Sequence, residues 1–218
     1  MVEGVIFDMD GVLIDSHPVH RIAWRRFLAS VGKQIPEEQL NFILEGRRRD
    51  EILQYFLGDL PEVTIVEYGQ RKEDFFQENF KDIKLIPGVE GFLGELRSAG
   101  LKTAIATSAS SYRTRRTLEL LNLEDKFAAV ITGDDVAAGK PDPAVYHLAA
   151  KQLSLGSNQL LVLEDAPSGV QAAKAAGMRC VGVSSNGQAE ALRLAGADYI
   201  IPDFVNLSTE ELFRNLAQ

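Results

Sequence analysis

Four short stretches of the sequence carry residues that could do chemistry. In the first, Val5-Ile6-Phe7-Asp8-Met9-Asp10-Gly11, an apolar run ends in two aspartates one residue apart. On an extended strand, residues i and i+2 point to the same side. Asp8 and Asp10 then share a side, and Met9 turns away. Two carboxylates this close repel, so one must be neutralised by a proton or a cation. Open α/β sheets bind ligands at the carboxyl ends of their strands, where this pair falls. Alone, the pair reads equally well as a strand followed by an acidic turn.

The second stretch, Thr103-Ala104-Ile105-Ala106-Thr107-Ser108-Ala109-Ser110, is an apolar strand running into hydroxyls before a helix. The Thr107 hydroxyl and the Ser108 backbone N–H could hold a phosphate oxygen near a helix N-terminus. N-capping is the other use of such residues. The third stretch is Gly139-Lys140-Pro141-Asp142-Pro143. Pro141 keeps Lys140 extended, and Asp142 and Pro143 read as N-cap and first position of a helix. Lys140 could reach over the strand ends or lie on the surface beside a turn. The fourth, Leu160-Leu161-Val162-Leu163-Glu164-Asp165, again ends an apolar strand in acids. A hard cation such as Mg²⁺ takes oxygen ligands, typically one or two carboxylates with substrate phosphate and water. An acidic N-cap accounts for one such pair, but not for acids at two strand ends together with Lys140.

In this order, the four stretches resemble the four motifs of the haloacid dehalogenase superfamily of phosphohydrolases. The resemblance spans nearly the whole chain, and Gly-Lys-Pro-Asp-Pro is its most specific part. It implies that Asp8 is a nucleophile and Asp10 a general acid and base. Thr107 and Ser108 would hold phosphate oxygens. Lys140 would neutralise the Asp8 carboxylate pair and the incoming phosphate. The implied cofactor is Mg²⁺, with Asp8, Asp165 and Asp10 (through its backbone carbonyl) as ligands and Glu164 bound directly or through water. The expected activity is hydrolysis of a small phosphate monoester, a sugar or polyol phosphate, through an aspartyl-phosphate. The alternative is a β-phosphoglucomutase-like mutase, passing the phosphoryl group to a second sugar hydroxyl. A dehalogenase needs neither Asp10 nor a metal, so Asp10 and the Glu164-Asp165 pair argue against that chemistry. A non-catalytic module on this fold could lose Asp8 or Lys140, and both are present.

The elements that must position these residues fall into two groups. Between the first and second stretches the chain reads as helices only. Trp24, Phe27, Leu28 and Val31 repeat at helical spacing, with Gly32 as a stop. Leu40, Ile43 and Leu44 continue the pattern to Gly46. Ile52, Leu53 and Phe56 form a third stripe, and Tyr68, Phe75, Phe76 and Phe80 a fourth. After Pro87-Gly88 strands and helices alternate, the sign of a parallel sheet. The fold class expected is α/β. A Rossmann-like parallel-sheet core spans residues 1–15 and 84–218, with an inserted α-helical cap domain over 16–83. The resemblance makes that insertion a mobile cap, hinged near Asp15-Ser16 and near residues 83–87.

Within the helical segment, His20 shares a stripe with Trp24 and could equally be a histidine at the edge of a packed face. Arg49 closes a three-arginine run that reads first as a solvated helix start, although guanidinium also matches phosphate geometry. Lys72 falls on the apolar face of Tyr68, Phe75 and Phe76, where it must snorkel or find a ligand. His20, Gly46, Arg49 and Lys72 resemble the cap positions that contact sugar and phosphate in β-phosphoglucomutases and related sugar phosphatases. Glu45 stands where those mutases typically carry a lysine, and Ile52 where a serine is expected.

The chain has 218 residues, a net charge of −8 and a pI near 5.0. That balance argues against nonspecific nucleic-acid binding, which needs a basic face. One cysteine, Cys180, leaves no internal disulfide and reads as a buried strand thiol. No apolar stretch is long enough for a membrane span. The first strand begins almost at once, which leaves no room for a signal peptide. The expectation is a cytoplasmic monomer whose partner is a small phosphorylated substrate, with no nucleic acid and no membrane.

Overall fold

The structure is a computed structural model that describes residues 2–185 and 187–216. Its core is a six-stranded sheet in which every pairing is parallel. The strands are β1 (Gly4–Phe7), β4 (Lys102–Ala106), β5 (Ala129–Ile131), β6 (Leu160–Glu164), β7 (Arg179–Val183) and β8 (Tyr199–Ile201), in the order β5-β4-β1-β6-β7-β8. The chain builds β4 and β5 on one side of β1 and then crosses to β6 on the other. This reversal next to β1 opens a crevice at the carboxyl ends of the strands.

The strands are short apolar runs because both faces are covered. Val5 and Phe7 pack with Leu161, Leu163, Phe92 and Leu212 on one face. Ile6 packs with Val162, Ala149, Val170 and Cys180 on the other. The period-two alternation of β1 therefore feeds two cores. Helices α4 (Val89–Ser98) and α9 (Thr209–Asn215) supply the first. Helices α6 (Ala144–Leu153), α7 (Pro167–Ala175) and α8 (Ala189–Leu194) supply the second. Helix α5 (Ser111–Leu121) follows β4.

Between β2 (Ile14–Asp15) and β3 (Lys84–Leu85) the chain is helical. It forms α1 (His17–Ser30), α2 (Arg49–Leu57) and α3 (Glu62–Glu78) around a third core of Trp24, Phe27, Leu28, Leu53 and Phe56. The two connections to the sheet run side by side, because β2 and β3 pair antiparallel at Ile14 with Leu85 and Asp15 with Lys84.

Three local readings shift. The stripe at Leu40, Ile43 and Leu44 is a 3₁₀ segment, Glu37–Leu44, rather than α-helix. A spacing of three suits the 3₁₀ period as well as the α period, so the apolar pattern does not separate them. Phe80 falls in a short 3₁₀ turn, Phe80–Asp82, after α3 has ended. Helix α6 starts one residue late, at Ala144, with Pro143 as N-cap. The Asp142 carboxylate still accepts the Ala144 N–H at 2.9 Å, so it works as a cap from one position further out.

Candidate active site

The carboxyl ends of β1, β4 and β6 and the helical layer enclose a cleft of about 370 Å³. Asp8, Asp10, Thr107, Ser108 and Asp165 line it from the sheet, and His20, Gly46, Arg49 and Lys72 from the helices. Its volume suits a small ligand. Asp8 follows β1 directly, and its N–H donates to Leu163 O at 2.9 Å, so strand pairing continues to the carboxylate. The chain then turns at Gly11, whose φ of +76° is a conformation glycine adopts without strain. Thr107 is buried at the end of β4, and its hydroxyl accepts the Ala109 N–H at 3.1 Å.

Lys140 and Glu164 do not reach the cleft surface. Lys140 is 1% exposed and Glu164 0%. Lys140 Nζ donates to Asp8 Oδ1 at 2.6 Å, to Glu164 Oε1 at 2.5 Å and to Ala106 O at 3.2 Å. Glu164 Oε1 also accepts the Tyr146 hydroxyl at 2.9 Å, and Oε2 accepts the Ala166 N–H at 2.9 Å. Both oxygens of Glu164 are therefore engaged. It aims Lys140 from below.

Electrostatics separate the two aspartates. Burial pushes the Asp8 carboxyl well up; Lys140 opposes this, while Glu164, Asp165 and Asp10 add to it. Burial would also raise Asp10, but the charge and hydrogen bonds of Arg113, with His20, outweigh it and hold Asp10 well below the usual carboxylate range. Burial raises Asp165 to about 6, against the pull of His17. Asp165 Oδ2 lies 3.0 Å from His17 Nε2, yet it is a buried atom without a hydrogen bond of good geometry. Among the described residues, the full cations within ion-pair distance of Asp8, Asp10, Glu164 and Asp165 are Lys140 and Arg113. The floor of the cleft is thus short of positive charge.

The helical layer contributes a second polar cluster. Lys72 is buried, with Nζ 4.6 Å from the Phe76 ring centre, 5.6 Å from that of Trp24 and 3.2 Å from His20 Nδ1. Burial first, then the Lys72 charge, lowers His20 to about 3, so its ring is neutral. Its Nδ1 faces Lys72, and its Nε2 lies 3.4 Å from Asp10 Oδ1 and 3.2 Å from Arg113 Nη1. Arg49 donates to Gly69 O at 3.4 Å and keeps its guanidinium at the cleft wall.

Two layers meet at Gly46. The Ser108 hydroxyl donates to Gly46 O at 2.8 Å, and the Ser168 hydroxyl donates to Glu45 O. Gly46 has φ +75°, and a Cβ there would lie 2.9 Å from both Ala166 Cβ and Ser168 Oγ. Arg48 adds a bond to Ala137 O at 3.1 Å. The helices are thereby tied down over the strand ends.

Sequence reasoning missed three residues. Arg113, on α5, pairs with both Asp10 oxygens. Ser16 donates to Asp10 Oδ1 at 2.5 Å. His17 faces Asp165. A signal for Arg113 did exist: it lies on the same buried face of α5 as Thr114, Thr117 and Leu118. An arginine on an inward stripe needs a partner.

A family model described as haloacid dehalogenase-like hydrolase matches residues 5–183. The chain is 37% identical over 204 residues to a phosphorylated carbohydrates phosphatase of Thermotoga maritima, covering 90% of this chain and 92% of that one. It is 34% identical over 201 residues to hexitol phosphatase A of Escherichia coli, covering 91% and 90%. A crystal structure of β-phosphoglucomutase from Clostridium difficile superimposes with a TM-score of 0.88 at 26% identity, over 100% of this chain and 98% of that one. Asp8, Thr107, Lys140 and Asp165 all fall within the matched stretch, and the chain belongs to the haloacid dehalogenase-like hydrolases.

Proposed function

We propose that this chain is a Mg²⁺-dependent phosphatase that hydrolyses small sugar or polyol phosphates through an aspartyl-phosphate. The chain is a phosphoric monoester hydrolase of the haloacid dehalogenase type. The observation that carries the reading is the Asp8 carboxylate, which stands at the cleft floor with Lys140 Nζ 2.6 Å behind it. The relatives named for phosphorylated carbohydrates and hexitols support the substrate class.

The residues fit a hard cation. Asp8 and Asp165 offer carboxylates at adjacent strand ends, and Asp10 offers its backbone carbonyl. Asp165 Oδ2 is buried and faces only His17 Nε2 at 3.0 Å, without a hydrogen bond of good geometry, which leaves it room for a cation. No three His, Cys, Asp or Glu side chains cluster into a cage among the described residues. That suits Mg²⁺, which keeps waters and needs few protein ligands. Held by Asp8, Asp165 and the Asp10 carbonyl, Mg²⁺ would supply the positive charge that the floor lacks.

The chain's own groups do the rest. An Asp8 oxygen attacks phosphorus, the bond from phosphorus to the sugar oxygen breaks, and Asp10 gives that oxygen a proton, a role that requires the negative charge of the incoming phosphate to offset the pull of Arg113 on the Asp10 carboxyl. Water then attacks the phosphorus of the aspartyl-phosphate and loses a proton to Asp10. The bond to Asp8 breaks, and inorganic phosphate leaves. Thr107 and the Ser108 N–H hold phosphate oxygens, and Lys140 balances their charge. Residues 16–83 act as the cap, closed here by the contacts at Gly46 and Arg48. The paired β2 and β3 serve as its two hinges. His20, Gly46, Arg49 and Lys72 meet the substrate and exclude water.

The mutase reading is favoured by likeness to β-phosphoglucomutases in both structure and sequence. Against it, the two phosphatases named above share 37% and 34% identity with this chain, and Glu45 pairs with Arg47 rather than offering a cation. A phosphate-release screen over small phosphate esters with Mg²⁺, run beside Asp8→Asn, tests the choice. Phosphate released from sugar or polyol phosphates, and lost in the variant, supports the phosphatase. Isomerisation of β-glucose 1-phosphate primed with the 1,6-bisphosphate, with little phosphate released, overturns it.

A further inference from the structure

Asp10 is held by an unusual number of donors for a group that must exchange a proton with substrate. Arg113 reaches it from α5, far away in sequence. Its Nη1 donates to Asp10 Oδ1 at 2.8 Å and its Nη2 to Oδ2 at 2.6 Å. Ser16 Oγ donates to Oδ1 at 2.5 Å. His20 Nε2 lies 3.4 Å from the same Oδ1. A carboxylate oxygen has about two good acceptor sites. Oδ1 is therefore filled by Ser16 and Arg113, whereas Oδ2 has one donor and one site left. The fork of the guanidinium fixes the plane of the carboxylate as well as its distance.

Arg113 is itself held. Its N–H is capped by Ser110 Oγ at 3.3 Å, and its carbonyl accepts Thr117 Oγ1 at 2.9 Å, so its backbone is locked in the first turn of α5. Its side chain is 9% exposed. The guanidinium also lies over the Phe76 ring, 5.4 Å from its centre, and Nη1 lies 3.2 Å from His20 Nε2. Both of those residues belong to the helical layer. One side chain thus touches the acid on the sheet and two residues of the layer that covers it.

We propose that Arg113 is the positioning residue for Asp10. It fixes the carboxylate so that Oδ1 is occupied and Oδ2 is the oxygen that passes the proton to and from substrate. Through His20 and Phe76 it sets this geometry when the helical layer is closed. The inference rests on the reading of Asp10 as general acid and base, and the test separates the two.

The test compares two leaving groups in a first turnover with Mg²⁺. A hexitol phosphate leaves as an alkoxide and needs a proton from Asp10. p-Nitrophenyl phosphate leaves as a stable phenolate and does not. Arg113→Met is expected to slow first-turnover cleavage of the hexitol phosphate by about 100-fold, within the range for general acid catalysis. Release of p-nitrophenolate in the same turnover should change by less than about 3-fold, the spread expected where no proton transfer is lost. Arg113→Lys keeps a charge but not the fork, and should show the same split at about 10-fold, a fraction of that catalytic range. Guanidinium ion should restore the hexitol phosphate rate of Arg113→Ala, and methylammonium should not. If Arg113→Met does not fold, the Lys variant and the rescue carry the test. Equal losses for both esters, or no loss for either, overturn the proposal and leave Arg113 a structural residue. Asp10→Asn is the control. If it lacks the split, the reading of Asp10 fails. If it shows the split and the Arg113 variants do not, only the Arg113 proposal fails.

Discussion

Lys140 Nζ stands 2.5 Å from Glu164 Oε1 and 2.6 Å from Asp8 Oδ1, so one ammonium is shared by a buried acid and the candidate nucleophile. Burial alone would lower this lysine, but Asp8 and Glu164 outweigh it and raise it, so it stays charged. Glu164→Gln removes the anchor without removing volume. The ammonium then loses its aim, and activity should fall by about 10–100-fold, as for other groups that orient a reacting residue. Mg²⁺ affinity, read by calorimetry, should stay within about 3-fold, since the 10–100-fold loss of affinity belongs to groups that hold the metal or its ligands. A large loss of Mg²⁺ binding with Lys140 still in place would make Glu164 a metal ligand.

Removing the lysine itself is harsher. Lys140→Met leaves Asp8 and Glu164 facing each other in a dry site. Breaking a buried pair from one side costs about 3–5 kcal/mol. Chemical denaturation at neutral pH should show that loss together with loss of phosphate release. Stability should recover in part at acid pH, because protonation of either carboxyl removes the repulsion. An unchanged midpoint would mean that the pair is already neutral.

Lys72 makes stability depend on pH. Burial takes its ammonium down to about 7, with Glu73 opposing and Arg113 adding to the fall. The unfolded lysine titrates near its ordinary value, about 10.4. Between those values the unfolded chain binds the extra proton, so stability rises with pH across the window. Below about 7 both states are protonated, and the folded state bears the full penalty of a few kcal/mol. Lys72→Met should therefore be more stable than the parent at pH 6. The difference should shrink steadily toward pH 10. Parallel denaturation curves with a constant gap would mean that Lys72 is solvated or paired across the whole range.

The strand ends were the most legible part of the sequence. Apolar runs ending in Asp8-Met9-Asp10, Thr107-Ser108 and Glu164-Asp165 fix which residues reach a common rim, because a parallel sheet aligns its carboxyl ends. The turn chemistry around Pro141 left Lys140 either over the strand ends or on the surface, and the family resemblance put it over the strand ends. What the pattern could not give was which oxygen meets which donor. Glu164 and Asp165 are adjacent in sequence and point to different jobs, one under Lys140 and one toward His17. Arg113 lies more than one hundred residues from Asp10, and no local rule links them. The 3₁₀ segment at Glu37–Leu44 escaped because three apolar residues suit either period.

Gly46 links the helical layer to the sheet through a conformation that other residues resist. Gly46→Ala must accept φ +75° and push against Ala166 and Ser168. The backbone term costs about 1–3 kcal/mol. The clash also holds the layer away from the strand ends, and with it His20 and Lys72, the proposed substrate contacts. A displacement of about 1 Å can cost on the order of 100-fold in rate. The expected result is a large drop in kcat/KM with a modest drop in melting temperature. A variant with full activity would show that the layer does not close through Gly46.

Asp165 offers a test of the metal site that does not depend on turnover. Its carboxyl is raised to about 6 by burial, against the pull of His17, whose Nε2 lies 3.0 Å from Oδ2. A cation that binds the folded chain and not the unfolded one raises stability with the logarithm of its concentration. At 100 times its dissociation constant, Mg²⁺ should add about 2.7 kcal/mol. Asp165→Asn keeps the shape but loses the charge, and His17 loses its carboxylate partner. In the parent, melting temperature should climb with added Mg²⁺ and fall back with chelator. In Asp165→Asn the climb should require far more Mg²⁺, while Arg113→Lys, which leaves the ligands alone, should climb like the parent. A melting temperature in the parent that ignores Mg²⁺ would sink the assignment of Asp8 and Asp165 as ligands. An Asp165→Asn variant that climbs like the parent would place the cation elsewhere.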